Sequence, residues 1–183
     1  MRTGQAIVAA GLVFGLAGAA GAQSFDFGLY TGQWDNLTFS SSGPVTMLIE
    51  DLGAGMVQMT IDVDGNVFGF VDPPPGVVTG TVVADVFTLD PVIGDPTFGD
   101  ISGSIDAAGV ASFEMLNAAG GSFSSVTISG TAIGGVFDLD YQIFTPNNPT
   151  APFAIGEINM TLVPSPSSLA LIGLGGLVML RRR

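Results

Sequence analysis

The sequence predicts an all-β protein: an antiparallel meander of about nine to twelve short strands that closes as an up-and-down barrel or packs as a β-sandwich. Three observations predict it. Apolar and polar residues alternate with period two; from Met56 to Asp64, Val57, Met59, Ile61 and Val63 fall on one face and Gln58, Thr60, Asp62 and Asp64 on the other. Glycine (27 residues) and proline (11) punctuate the chain often enough to end a strand every few residues. Between Gln23 and Leu162 no stretch carries the 3.6-residue apolar period of a helix.

Taken in order, the expected strands are Phe25 to Tyr30, Trp34 to Ser40, Val45 to Glu50 and Met56 to Val63. Asp64-Gly65 then suits a two-residue hairpin turn, because glycine accepts positive φ, and the return strand is Val67 to Val71. Val77 to Val83, Val86 to Asp90, Phe98 to Asp106, Val110 to Leu116, Ser122 to Ala132, Val136 to Phe144 and Ile155 to Leu162 complete the set. The breaks between them include Pro73-Pro74-Pro75-Gly76, Gly120-Gly121, Gly134-Gly135 and Pro146-Asn147-Asn148-Pro149.

One hairpin recurs. Residues 79–90, T-G-T-V-V-A-D-V-F-T-L-D, align with residues 129–140, S-G-T-A-I-G-G-V-F-D-L-D, and a weaker copy begins at Ser102-Gly103-Ser104. Its spacing is irregular, which means repeated hairpin geometry and not a solenoid. Sequence-adjacent antiparallel strands make a meander, and closing or doubling the sheet removes its exposed edges. Gly32-Gln33-Trp34 on an early strand resembles the G-x-W that opens lipocalin-like and avidin-like barrels. That likeness implies an interior lined by Val, Ile, Phe and Met that takes a small apolar ligand.

Both ends of the chain concern export. Residues 1–22 read as a signal peptide, with Arg2 as the positive start, Ala6 to Ala17 as the apolar segment and Ala20-Gly21-Ala22 as the small-residue site for signal peptidase. Residues 23–162 form the exported β domain and residues 163–183 a C-terminal tail. In that tail the uncharged run Leu169 to Leu180 makes a helix of only about 18 Å, against about 30 Å of hydrocarbon, so membrane association is transient rather than a comfortable span. A plain single-span anchor is the competing interpretation. Arg181, Arg182 and Arg183 hold the extreme end on the cytoplasmic side.

The tail's three parts, Val163-Pro164-Ser165-Pro166, the short hydrophobic segment and the arginine cluster, resemble the PEP-CTERM sorting signal of exported bacterial proteins. Ser165 stands where that signal usually has Glu. The resemblance implies recognition by an exosortase-type membrane processing enzyme near the proline motif. It implies an inner-membrane-tethered precursor in a Gram-negative-type bacterium, then transfer to the cell surface or extracellular matrix. The family's association with exopolysaccharide adds an extracellular polysaccharide to the expected partners, and the motif's occurrence on ice-binding proteins adds an ice- or polysaccharide-binding surface as a further option.

All four basic residues lie in the two export segments, so residues 23–162 carry sixteen acidic residues, no Lys, Arg or His, and a formal charge of −16. Without a basic patch nucleic-acid binding is excluded, since nothing displaces phosphate counterions. The absence of Cys rules out disulfides, and with His and Lys also missing the usual bases for a nucleophilic serine and the usual zinc, copper and haem ligands are gone. Carboxylate chemistry remains, but one Trp and two Tyr supply a sugar cleft poorly and no Asp/Glu pair stands out, so a non-catalytic protein is expected.

No cofactor is expected apart from Ca²⁺, a hard cation that prefers oxygen. Its candidate ligands are Asp62 and Asp64, in a D-x-D-G-N run unlike a true EF-hand loop, and Asp138 and Asp140, two apart on one strand face. The same aspartates serve equally well to keep a strand face wet. Asn36-Leu37-Thr38 and Asn159-Met160-Thr161 match the N-glycan acceptor pattern. Thr79, Thr81, Ser102, Ser104, Ser129 and Thr131 offer a hydroxyl-bearing outer face of the kind that orders water on a flat sheet. The leading expectation is a surface or matrix protein, with a barrel binding module for an apolar ligand or Ca²⁺ as the alternative.

Overall fold

The computed structural model describes residues 25–68, 72–95, 99–117 and 123–164. Eleven strands make one sheet: β1 (Gly28–Asn36), β2 (Ser41–Gly53), β3 (Met56–Val63), β4 (Gly76–Val83), β5 (Val86–Leu89), β6 (Val92–Asp95), β7 (Gly99–Ile105), β8 (Val110–Leu116), β9 (Ser125–Ile133), β10 (Val136–Phe144) and β11 (Ala154–Leu162). Each pairs antiparallel with its sequence neighbours, except that β5 passes over β6 to reach β7. The first strand pairs with the last from Tyr30↔Leu162 to Asn36↔Gly156. This contact closes the barrel and excludes a sandwich.

β5 and β6 are successive halves of one kinked strand along β7. Phe87 and Thr88 pair with Ile105 and Ser104, while Val92 and Asp95 pair with Ile101 and Gly99. The kink falls at Pro91, which has no N–H to give the ladder. The ring therefore has ten strand positions, an even number that lets an up-and-down meander close antiparallel.

Alternation decides which residues enter the interior. On β10, Phe137, Leu139, Tyr141 and Ile143 are buried while Val136, Asp138, Asp140 and Gln142 are exposed. The outer wall carries most of the polar strand residues and the inside is apolar, the reverse of a transmembrane barrel.

The two ends differ. At the base the turns β2–β3, β4–β5 and β9–β10 are two residues long, with positive φ at both central positions: Ala54 and Gly55, Ala84 and Asp85, Gly134 and Gly135. That is the type I′ geometry whose twist suits a tight hairpin. The recurring sequence hairpin is thus a recurring structural one. Longer connections, including residues 64–75 and 145–153, sit at the opposite end, the mouth. The first and last described residues both lie at the base, where the Val163 N–H donates to the Leu29 carbonyl at 2.7 Å.

Three expectations need correction. The strands expected at Phe25 to Tyr30 and Trp34 to Ser40 are one continuous β1, which ends at Asn36. Gly32 is no turn; it is the point where β11 passes so close that an added Cβ would lie 1.8 Å from the Asn159 carbonyl oxygen. Asp64-Gly65 does not form a two-residue hairpin: Gly65–Phe68 is a 3-10 turn and β3 pairs with β4 instead. The Val67 carbonyl accepts the Ser41 hydroxyl, which ties this turn to the start of β2, and residues 69–71 of the expected return strand lie outside the described residues. Finally, β6 was not expected. The signal peptide and the tail from Ser165 onward lie outside the described residues.

Candidate functional site

The barrel encloses a cavity of about 430 Å³ that opens at the mouth. Beneath it the base is packed with aromatic rings, of which Phe137 reaches the cavity. Phe25, just before β1, packs edge-on against Phe87 of β5 at 5.9 Å, and Tyr30 against Phe137 at 5.0 Å. The Tyr30 hydroxyl donates to the Asp26 carbonyl (2.8 Å) and accepts from the Asp26 N–H (3.0 Å), which straps the incoming chain across the base. Burial raises the Tyr30 pKa, the Asp26 backbone bond opposes this, and the Asp26 charge adds to it.

Above the base the wall is aliphatic and sulfur-rich. Met47, Met59, Met115 and Met160, four of the chain's seven methionines, line the cavity. Their flexible, polarisable side chains adapt to an occupant's shape. In the wall below the mouth, polarity is concentrated at one place, Trp34 on β1 and Tyr141 on β10, with rings 5.2 Å apart. Gly156 on the intervening β11 makes this approach possible, since a Cβ there would lie 2.5 Å from the Tyr141 ring. The Tyr141 pKa is raised, chiefly by burial; the hydrogen bond with Trp34 works against the shift and the nearby Asp35 charge works with it. Its hydroxyl is neutral at ordinary pH.

The mouth is proline-rich and acidic. Pro73, Pro74, Asp64 and Asp95 line it, and the Gly65 N–H donates to the Asp72 carboxylate at 2.8 Å. One side of the mouth is a seam. β4 pairs with β5 only from Gly80 to Val83, and the last rung is the Asp90 N–H on the Thr79 carbonyl at 2.8 Å. Beyond that rung no ladder pairing joins Gly76–Thr79 to β6 among the described residues. β6 is held from its other side, by its pairs with β7 and by Asp100, which accepts the Gly94 N–H and the Asn117 side-chain amide, each at 2.8 Å. The Asp100 pKa is lowered, first by Asn117 and then by Gly94.

The residues singled out for calcium do not converge. Asp62 is exposed on the outside of β3, whereas Asp64 has left the strand and lines the mouth, so the two do not share the wet face the alternation assigned them. Asp138 and Asp140 lie exposed on β10, four ring positions from β3, beside Asn159 and Glu157 of β11. Among the described residues no group of three His, Cys, Asp or Glu is placed to hold a metal ion. Of the sorting motif, Val163 and Pro164 are described and exposed at the base. Ser165, Pro166, Arg181, Arg182, Arg183, Ala20 and Ala22 lie outside the described residues.

The other sequence features find their places. Asn36 is 1% exposed and its Oδ1 accepts the N–H groups of Thr38 and Phe39, which leaves its amide inaccessible to glycosylation. Thr81, Thr88, Ser104, Ser112 and Ser129 form a cross-strand hydroxyl row on the outer wall. It follows a curved barrel instead of a plane, which does not match a flat ice lattice. The sequence analysis singled out Trp34 on an early strand but missed its pairing with Tyr141; the available signals were the inward parity of Tyr141 and Gly156 on the strand between them. No protein-family model matches the chain, and neither does any characterised protein or solved structure compared with it.

Proposed function

We propose that the chain is the precursor of an exported, non-catalytic surface or matrix protein whose barrel holds a small apolar molecule. The cavity carries the reading: about 430 Å³ of interior walled by Val, Ile, Leu, Met and aromatic side chains, with one neutral polar spot. That size and lining fall in the range of small-molecule sites. The interior offers no nucleophile–base pair, because residues 23–162 have no His, Lys or Cys and the carboxylates that line the cavity sit at its mouth. The export half of the proposal is supported by residues 1–22, by the V-P-S-P motif, apolar segment and arginine cluster, and by the position of Phe25 and Pro164, the limits of the described barrel, at its base.

Titration with N-phenyl-1-naphthylamine, a neutral dye whose emission rises in apolar surroundings, tests the binding half. One saturable site per chain is expected; linear, unsaturable emission overturns it. Replacing Arg181, Arg182 and Arg183, or Pro164 and Pro166, with alanine in the native host tests the sorting half. Retention of the precursor mass is expected, and unchanged mature mass and location would sink it.

A further inference from the structure

We infer that the cavity selects neutral apolar molecules, such as alcohols, ketones and esters, and rejects the carboxylate forms of the same skeletons. This rests on the binding reading above and names the class of ligand. The first ground is the composition around the site. Residues 23–162 contain no Lys, Arg or His, so no loop at the mouth supplies a cation to an entering carboxylate. The second is placement. Asp64 and Asp95 line the entrance, and Asp72 is bound to the backbone of Gly65, which also lines it. An anion must therefore pass like charges and then lose its water shell against an apolar wall that offers it no cation, which makes burial of its charge costly. The polar spot within, Trp34 and Tyr141, is neutral and suits an uncharged oxygen.

The experiment uses Trp34, the sole tryptophan and a cavity-lining residue, as the reporter. Quenching of its emission is titrated on the full exported protein at neutral pH with three probes of one skeleton: retinol, retinoate and methyl retinoate. Retinol and methyl retinoate are expected to bind with similar affinity, and retinoate about tenfold or more weakly, the least that an unpaired buried charge should cost. Equal binding of retinoate and retinol overturns the inference while leaving the cavity reading intact. So does a methyl ester as weak as the acid, because shape would then explain the difference. If none of the three quenches Trp34 and the neutral dye also fails to saturate, the cavity reading itself falls and this one with it.

Discussion

Replacing Phe25 with alanine should cost far more than its position near the start of the domain suggests. Phe25 is 2% exposed, lies outside any strand, and meets Phe27 at 6.3 Å and Phe87 at 5.9 Å, both edge-on. Phe87 is itself fully buried on β5, four ring positions from β1, so Phe25 reaches most of the way across the base. Burial and the cavity left behind put a Phe→Ala change at about 3–5 kcal/mol, of which the ring pairs supply ~0.5–1.5 kcal/mol. The segment precedes the first strand and can partly relax, which favours the lower end, about 3 kcal/mol. With a urea slope of about 2 kcal/mol per molar, the unfolding midpoint should fall by about 1.5 M. Phe27, 38% exposed and touching Phe25 by one ring edge, is the internal control. Its alanine variant should lose about 1 kcal/mol or less. Equal midpoints for the two variants, or a Phe25→Ala midpoint at the parent value, would refute the idea that this ring anchors the packing of the base.

The remaining expectations address charge. Burial raises the pKa of Tyr30 and Tyr141, so their stabilising contribution is complete below the unfolded value of 10.0 and disappears as pH rises through the higher folded values. Thermal melts should therefore fall above about pH 10, and Tyr141→Phe should flatten that limb; an unaltered slope in the variant would contradict it. Asp100 has the opposite sign: its lowered pKa gives stability that is present above the unfolded value of 3.8 and lost as pH falls through the folded one. Asp100→Ala should speed amide exchange in Val92–Asp95 several-fold with little change in the global midpoint, and protection unchanged in β6 would show that the carboxylate is not its clasp. With sixteen carboxylates and no basic residue in residues 23–162, added NaCl should raise the melting midpoint by screening. Ca²⁺ and Mg²⁺ at equal ionic strength should act alike, because the four candidate aspartates are divided between opposite walls; a rise specific to Ca²⁺ would reveal a site the geometry does not suggest.

The sequence made the strands legible because each strand has one dry and one wet face, and parity alone places Met59 or Leu139 inside. It also exposed the repeated hairpin, since a type I′ turn demands residues such as Gly134-Gly135 that tolerate positive φ. It hid whatever depends on a distant partner. Gly32 reads as a break until β11 lies against it, and Val92 to Asp95 reads as loop until β7 supplies its ladder. Closure was undecidable for the same reason: the pairing of Tyr30 with Leu162 joins the two ends of the domain, and no local pattern records it. The cavity was half legible. Alternation says the interior is apolar, but whether inward side chains meet or leave a gap depends on strand number and on inward glycines such as Gly156, which change the volume without changing the pattern.

Closure also constrains how a tethered form of this domain would stand. The Val163 N–H is bonded to Leu29 on β1, so the barrel proper extends to within one residue of Pro164 and no slack linker separates the two. A tail held at a surface would therefore keep the base toward that surface and the mouth, at the far end, turned outward. Asp26, Asp51, Asp85 and Asp106 sit at the base turns and approach. Next to an anionic leaflet those carboxylates oppose close contact, since the surface potential that attracts basic segments repels acidic ones. In such a tethered form the acidic surface that we propose keeps anions from the cavity would also oppose close approach of the barrel to an anionic leaflet, and attachment would fall to the tail. Cutting near Pro164 would then release a domain whose base carboxylates, including Asp26, Asp51, Asp85 and Asp106, are repelled by an anionic leaflet.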